Sequence, residues 1–261
     1  MPNKKRKTTR SPLKRKPLRS PGESLRDEIE NLFSEELALF VYVPFMFVLF
    51  TIFEWIRWYF NLLPQPIIYS IATILTVAYS SFRIFRLRKR YRKLTLGLEG
   101  EKSVGQFLNS LHNEGWHILH DIPGDGFNID HVVLSPHGIY TIETKTYSKP
   151  IRGEAVIKYD GTYVYVNGVK PKRDPIRQAL ATQDWLENIL LATTDKQFPV
   201  KAVVLFPDWY VEPQSNKTKE APWVLNPKAL PKFIENQPIV IKQEDVALAN
   251  SRLVEYISRH S

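Results

Sequence analysis

The sequence predicts an α/β domain, a mixed sheet flanked by helices, carried behind a two-helix membrane hairpin. Three observations predict it. Two uncharged stretches, residues 37–53 and 62–82, stand close together in the front third. Helix-period and alternating apolar segments then take turns from about residue 99 onward. The charge divides at the same place: residues 1–93 hold 18 Lys/Arg and 7 Asp/Glu, while residues 94–261 hold 18 and 20. The formal net charge of +9 therefore belongs to the front of the chain. With 261 residues, 43% of them hydrophobic, the chain is too apolar for wholesale disorder. It has no cysteine, which excludes disulfide frameworks, zinc fingers, iron–sulfur clusters and thiol nucleophiles.

Residues 1–35 read as a basic disordered arm, with ten cations interleaved with Pro2, Pro12, Pro17 and Pro21. Residues 36–82 read as the hairpin. The second apolar run has the roughly 20 residues a spanning helix needs. The first is shorter and is extended by Trp55, Ile56, Trp58, Tyr59 and Phe60, which suit a headgroup interface. Seven cations follow the second run and only Arg57 lies between the two. The positive-inside rule then places both termini in the cytoplasm of a two-pass membrane protein. Residues 83–96 read as a basic juxtamembrane linker.

The domain follows. Residues 99–114 have the spacing of an amphipathic helix, with Val104, Phe107, Leu108 and Leu111 on one face. Strands are expected at 116–122, 129–134 and 139–145, the last two joined by Ser135-Pro136-His137-Gly138. Asp160-Gly161 between 156–159 and 162–166 is a strong hairpin signal. Asp174 caps a helix over 174–191 with Pro175 at its first position. A buried strand is expected at 200–206, and helices near 227–235 and 243–259 close the chain.

The chemistry sits at Glu143-Thr144-Lys145. Alternation puts Glu143 and Lys145 on one face of a strand. If Leu134 faces Ile139 across the turn, Asp130 lies directly opposite Glu143. Ile129, His131, Val133, Tyr140 and Ile142 would then line the other face. Two like charges opposed across strands destabilise unless a cation sits between them or one holds a proton. Aspartate is also a poor strand former, so Asp130 breaks the local rule. Hard carboxylate oxygens favour Mg²⁺ or Mn²⁺ over zinc. A lysine beside such an ion can stabilise negative charge on a phosphoryl oxygen, which suits metal-assisted phosphodiester hydrolysis. His117 and His120 form an H-x-x-H in a strand, a poor zinc geometry.

These residues carry a resemblance. Gly97-Leu98-Glu99-Gly100-Glu101, Asn128-Ile129-Asp130-His131, Gly138 through Lys145, and Pro175-Ile176-Arg177-Gln178 resemble, in order, the motifs of the NERD (nuclease-related) domain, a branch of the PD-(D/E)xK nuclease superfamily. One departure is Asn128, where the family more often has Gln. The resemblance implies a restriction-endonuclease-like core. It implies Asp130, Glu143 and Glu101 as metal ligands, Lys145 as catalytic, and Gln178 as a further polar site residue. On this reading residues 97–210 form the nuclease-like domain and 211–261 an α-rich extension. The implied activity is DNA cleavage in preference to RNA, by a domain anchored to the lipid bilayer. The alternatives are a catalytically inactive nucleic-acid or protein-binding module in a membrane assembly, and a structural membrane protein whose basic arm binds anionic lipid.

Overall fold

A computed structural model describes residues 18–60, 62–63, 65–111, 115–212 and 221–260. Most of the cationic arm lies outside the described residues. The chain forms two compact units: Glu23–Gly100, and Glu101–Ser261 together with the segment ahead of Glu23.

In the first unit, α1 (Glu23–Asn31) passes through a π-helical stretch, Leu32–Leu37, into α2 (Ala38–Tyr59). The helix α1 lies within the stretch expected to be disordered. The prolines end at Pro21, and Leu25, Ile29 and Leu32 then recur at helical spacing. The next helix, α3 (Pro66–Ser110), runs without a break through residues 83–96, expected to be a linker. That stretch has no Pro or Gly, and Arg, Lys and Leu are strong helix formers. Both apolar helices are long enough to cross a membrane. Their surfaces are inverted relative to a soluble protein. In α2 the buried residue is Glu54, while Phe45, Leu49, Ile52 and Phe53 are exposed. Polar groups pair between the helices: the Thr51 and Thr73 hydroxyls lie 2.7 Å apart, and Trp55 Nε1 donates to Ser70 Oγ at 3.2 Å.

The second unit is a mixed α/β domain, as the sequence predicts. Its main sheet has the order β1-β2-β3-β6-β8, built from β1 (His117–Pro123), β2 (Asn128–Ser135), β3 (Gly138–Thr144), β6 (Val200–Leu205) and β8 (Trp223–Leu225). The first three strands are antiparallel neighbours, and β6 and β8 are added in parallel. A smaller sheet, β5-β4-β7, comprises β4 (Val156–Tyr159), β5 (Val164–Val166) and β7 (Tyr210–Val211). Three helices complete the unit: α4 (Pro175–Thr194), α5 (Leu230–Glu235) and α6 (Gln243–His260). Asp174 caps α4 by accepting from the N–H of Ile176 at 3.0 Å, with Pro175 in the first turn.

Two apolar layers sandwich the main sheet. On one side Val104 and Leu108 of α3 pack with Val133, Tyr140, Ile142, Val203 and Leu205. On the other Leu186 and Leu190 of α4 and Val246 and Leu253 of α6 pack with Val132, Leu134 and Ile139. Side-chain alternation therefore assigns Ile142 to the α3 face and Glu143 to the α4 face. Ile129 corrects the expectation that it shares a face with Val133. It packs with Val132, Leu134 and Ile122 instead. Alternation slips by one residue across Asp121 and Asp130, and Asp121 has a left-handed φ of 49° in the middle of β1.

Candidate active site

The turn at Pro136-His137 sets the register. Leu134 pairs with Ile139 and His131 with Ile142. The next step along the ladder brings Asp130 opposite Glu143, the register read from the sequence. There the strands part. Asp130 Oδ2 accepts from the backbone N–H of Thr144 at 2.7 Å, so a side chain takes over the ladder's hydrogen bond. A single carboxylate thereby opens a gap at the end of β2–β3 and holds itself beside Glu143.

Lys145 lies just beyond β3, its backbone N–H tied to the Leu205 carbonyl at 2.9 Å. Its ammonium donates to Glu143 Oε1 and, at 3.0 Å, to Gln178 Oε1 on the first turn of α4. Glu143 is 3% exposed, and its other oxygen, Oε2, is buried with no hydrogen-bond partner. A buried carboxylate oxygen left bare costs free energy, on the order of 1–3 kcal/mol or more. It marks the position where a cation would be most favourable.

Glu101 comes from α3, three residues ahead of Val104. It is almost fully buried. Burial pushes its pKa up to about 8, with Asp121 and Glu143 adding to the rise and Lys145 opposing it. Burial also lifts Asp130 well above the carboxylate range, helped by Glu143 and Glu101 and resisted by the Thr144 N–H. Glu143 is raised by burial against the pull of Lys145. For Lys145, burial pulls the pKa down, but Glu143 and Asp130 outweigh it and the ammonium is held above its usual value. The site is an acid cluster whose lysine is held in its charged form by the neighbouring carboxylates.

The five residues expected at the site thus stand in two relationships. Direct bonds join Glu143, Lys145 and Gln178, and register joins Asp130 to them. Glu101 is joined through the electrostatic field. Among the described residues, no three His, Asp or Glu side chains already converge as an ion-binding group. The donor chemistry suits a hard divalent ion: Asp130 and the bare Oε2 of Glu143 would supply the first two oxygens, with Glu101 the further acid.

Asp121 and its partner Arg19 escaped the sequence reading of the site. Asp121, 1% exposed, stands opposite Asp130 on the other side of β2: the β1–β2 pairing steps from His120–His131 to Ile122–Ile129 around them. Asn128 Nδ2 donates to Asp121 Oδ1 at 3.2 Å, and Arg19 Nη1 meets Asp121 Oδ2 at 3.0 Å. The signal for Asp121 was present, since it is a second aspartate in a strand, but its register needs the loop between β1 and β2. The histidines are not arranged as a zinc site. His120 and His131 bond Nδ1 to Nδ1 at 2.9 Å, and His120 Nε2 reaches Asn109 Oδ1 at 3.0 Å. Trp209 is core, at 2% exposure, and Trp185 packs against the α4–α6 layer.

Comparison with known proteins agrees with the motifs. Residues 96–207 match the model of the NERD family, the nuclease-related domain. An uncharacterized protein of Bacillus anthracis is 36% identical over 62 residues, covering 22% of this chain and 29% of its own length. No solved structure matches the chain. The segment that carries Glu101, Asp130, Glu143, Lys145 and Gln178 is therefore a nuclease-related (NERD) domain, consistent with the PD-(D/E)xK type.

Proposed function

We propose that the protein is a membrane-anchored, divalent-metal-dependent nuclease that hydrolyses phosphodiester bonds of DNA. The observation that carries this reading is the bare, buried Oε2 of Glu143, in a carboxylate whose other oxygen holds Lys145. Asp130 and Glu143, with Glu101 as a further acid, would hold Mg²⁺ or Mn²⁺. When bound, the ion supplies Lewis-acid polarisation of the phosphate. Every other part belongs to the chain. Lys145, kept protonated by its neighbours, is a charge donor and not a base, so its task is to stabilise negative charge on a phosphoryl oxygen. Gln178 orients that ammonium through a neutral hydrogen bond that leaves its charge intact. The Thr144 N–H fixes Asp130 in place. Glu101, with a pKa near 8, holds a proton at neutral pH until a cation displaces it.

The two apolar helices would serve as a hairpin anchor, with both termini on the cytoplasmic side. The basic segments around the anchor would contact nucleic-acid phosphates without sequence preference.

The full-length chain in detergent, incubated with supercoiled plasmid and Mn²⁺, tests this. Nicking by the wild type and its loss in Lys145→Ala is the expected result. A second reading, a catalytically silent module on the same fold, is favoured by the acids' lack of convergence on one point. It predicts no nicking by either protein, with DNA retained in a mobility shift.

A further inference from the structure

Among the described residues, two ion pairs bring a cation to a buried carboxylate near the site. Lys145 pairs with Glu143. The second cation comes from a distant part of the chain: Arg19, about a hundred residues ahead of Asp121 and just in front of α1. Its guanidinium is 18% exposed and lies 3.0 Å from an oxygen of Asp121, itself 1% exposed. The approach is built into the fold. Pro21 lies over Gly105 of α3, so closely that a Cβ at that position would collide with its ring carbons. Only glycine on that helix face lets the segment lie low enough to bring Arg19 in. Asp121 is held from the other side by Asn128, and it adopts a left-handed backbone that an L-residue seldom occupies inside a strand. None of this is needed to pair a surface arginine with an acid.

We infer that Asp121 is a fourth acid of the site and that Arg19 is its resident cation, an internal charge that competes with the divalent ion and sets the cluster's affinity for it. The inference rests on the metal-dependent reading above. It follows from electrostatics at short range. Asp121 is opposite Asp130 in the sheet, and its charge is felt at Glu101. A guanidinium lodged there cancels one negative charge that would otherwise attract a dication, and adds its own repulsion. Inside a protein such terms are far larger than in water. Remove the guanidinium, and that repulsion is removed with it.

The test is a Mn²⁺ titration of the full-length chain in detergent, read by the electron paramagnetic resonance of free Mn²⁺. Arg19→Ala should bind Mn²⁺ at least threefold more tightly than the wild type. Arg19→Lys should stay near the wild type, because it keeps the charge. The double variant Arg19→Ala/Asp121→Asn should return towards the wild-type affinity, because it removes the charge that Arg19 balanced. A structural role alone predicts the reverse, with the double variant no better than Arg19→Ala. Unchanged or weakened Mn²⁺ binding in Arg19→Ala overturns the inference. Glu143→Gln separates the two levels. If the wild type binds no more Mn²⁺ than Glu143→Gln, the metal-dependent reading itself fails. A wild type that binds through Glu143 but ignores Arg19 defeats only the resident-cation proposal.

Discussion

Carboxylates are buried in both units of the chain, and they are treated in opposite ways. Glu54 in α2 is fully provided for: Arg57 Nη1 donates to Oε1 at 2.8 Å and the Gln65 N–H donates to Oε2 at 3.0 Å. Glu143 in β3 has Lys145 on one oxygen and nothing on the other. Both are under a tenth exposed. The satisfied acid closes a helical turn and asks nothing more of its surroundings. The half-satisfied acid carries an unfavourable free energy that an added cation, or a proton, can release. On the proposed function, that difference separates a buried acid kept for structure from one kept for binding.

The sharpest way to break the comparison is to remove the cation from the half-satisfied site. Lys145→Ala should lower plasmid nicking by a factor of about 100 or more, the usual scale for losing a group aimed at developing charge. Nicking by Lys145→Ala at the wild-type rate would show that the pair is structural, like Glu54 and Arg57. A second test asks whether the bare oxygen attracts an ion. Saturating Mn²⁺ at about 100 times its dissociation constant should stabilise the wild type by about 2.7 kcal/mol, and Glu143→Gln should lose that gain. Thermal unfolding of both proteins with Mn²⁺ and with a chelator measures it.

Much of this site was legible in the sequence, and the reason is locality. The Asp130–Glu143 register follows from one tight turn at Pro136-His137, so counting outward from it suffices. The α4 start is equally local: Asp174 followed by Pro175 signals a cap, and Gln178 is placed by it. What was not legible is non-local. The β7 and β8 strands have two and three residues and show no period. Arg19 meets Asp121 across most of the fold, and nothing near either residue announces the other. The uninterrupted α3 was missed for a different reason. The cations from Arg83 onward mark the end of an apolar run, and the end of an apolar surface is not the end of a helix.

A smaller effect concerns pH. Glu101 holds its proton up to about pH 8 in the fold, whereas an unfolded carboxyl loses it near 4.5. Its folded value is raised, so between those limits the native state carries the extra proton, and stability falls as pH rises. His120 acts in the opposite sense, depressed to about 4 by burial, and costs stability only as pH falls below about 6.5. From pH 6.5 to 8 the acid therefore acts without the histidine. In chelator, unfolding free energy should drop across that window, Glu101 contributing up to about 1.36 kcal/mol per pH unit and the likewise raised Asp130 adding in the same sense. Glu101→Gln should flatten the slope, and so should Mn²⁺. A slope unchanged by Glu101→Gln would mean that the cluster's strain resides elsewhere.

The smallest expected effect is the most specific to the contrast. Glu54→Gln keeps the side chain's shape and one acceptor oxygen, so the Gln65 N–H or the Arg57 guanidinium can still be served, but not both. The loss is local: a charge-assisted pair at a helix turn becomes a neutral hydrogen bond, and an arginine loses its counterion. No carboxylate of the NERD domain appears among the groups that Glu54 bonds. Mn²⁺ affinity and nicking should therefore stay within about twofold of the wild type, a difference of about 0.4 kcal/mol at RT near 0.59. Retained Mn²⁺ affinity in Glu54→Gln beside lost affinity in Glu143→Gln would establish that the bare oxygen makes the site, not the burial of charge. Equal losses in both would mean that any disturbed buried acid unsettles this protein, and Glu143 would have no special claim.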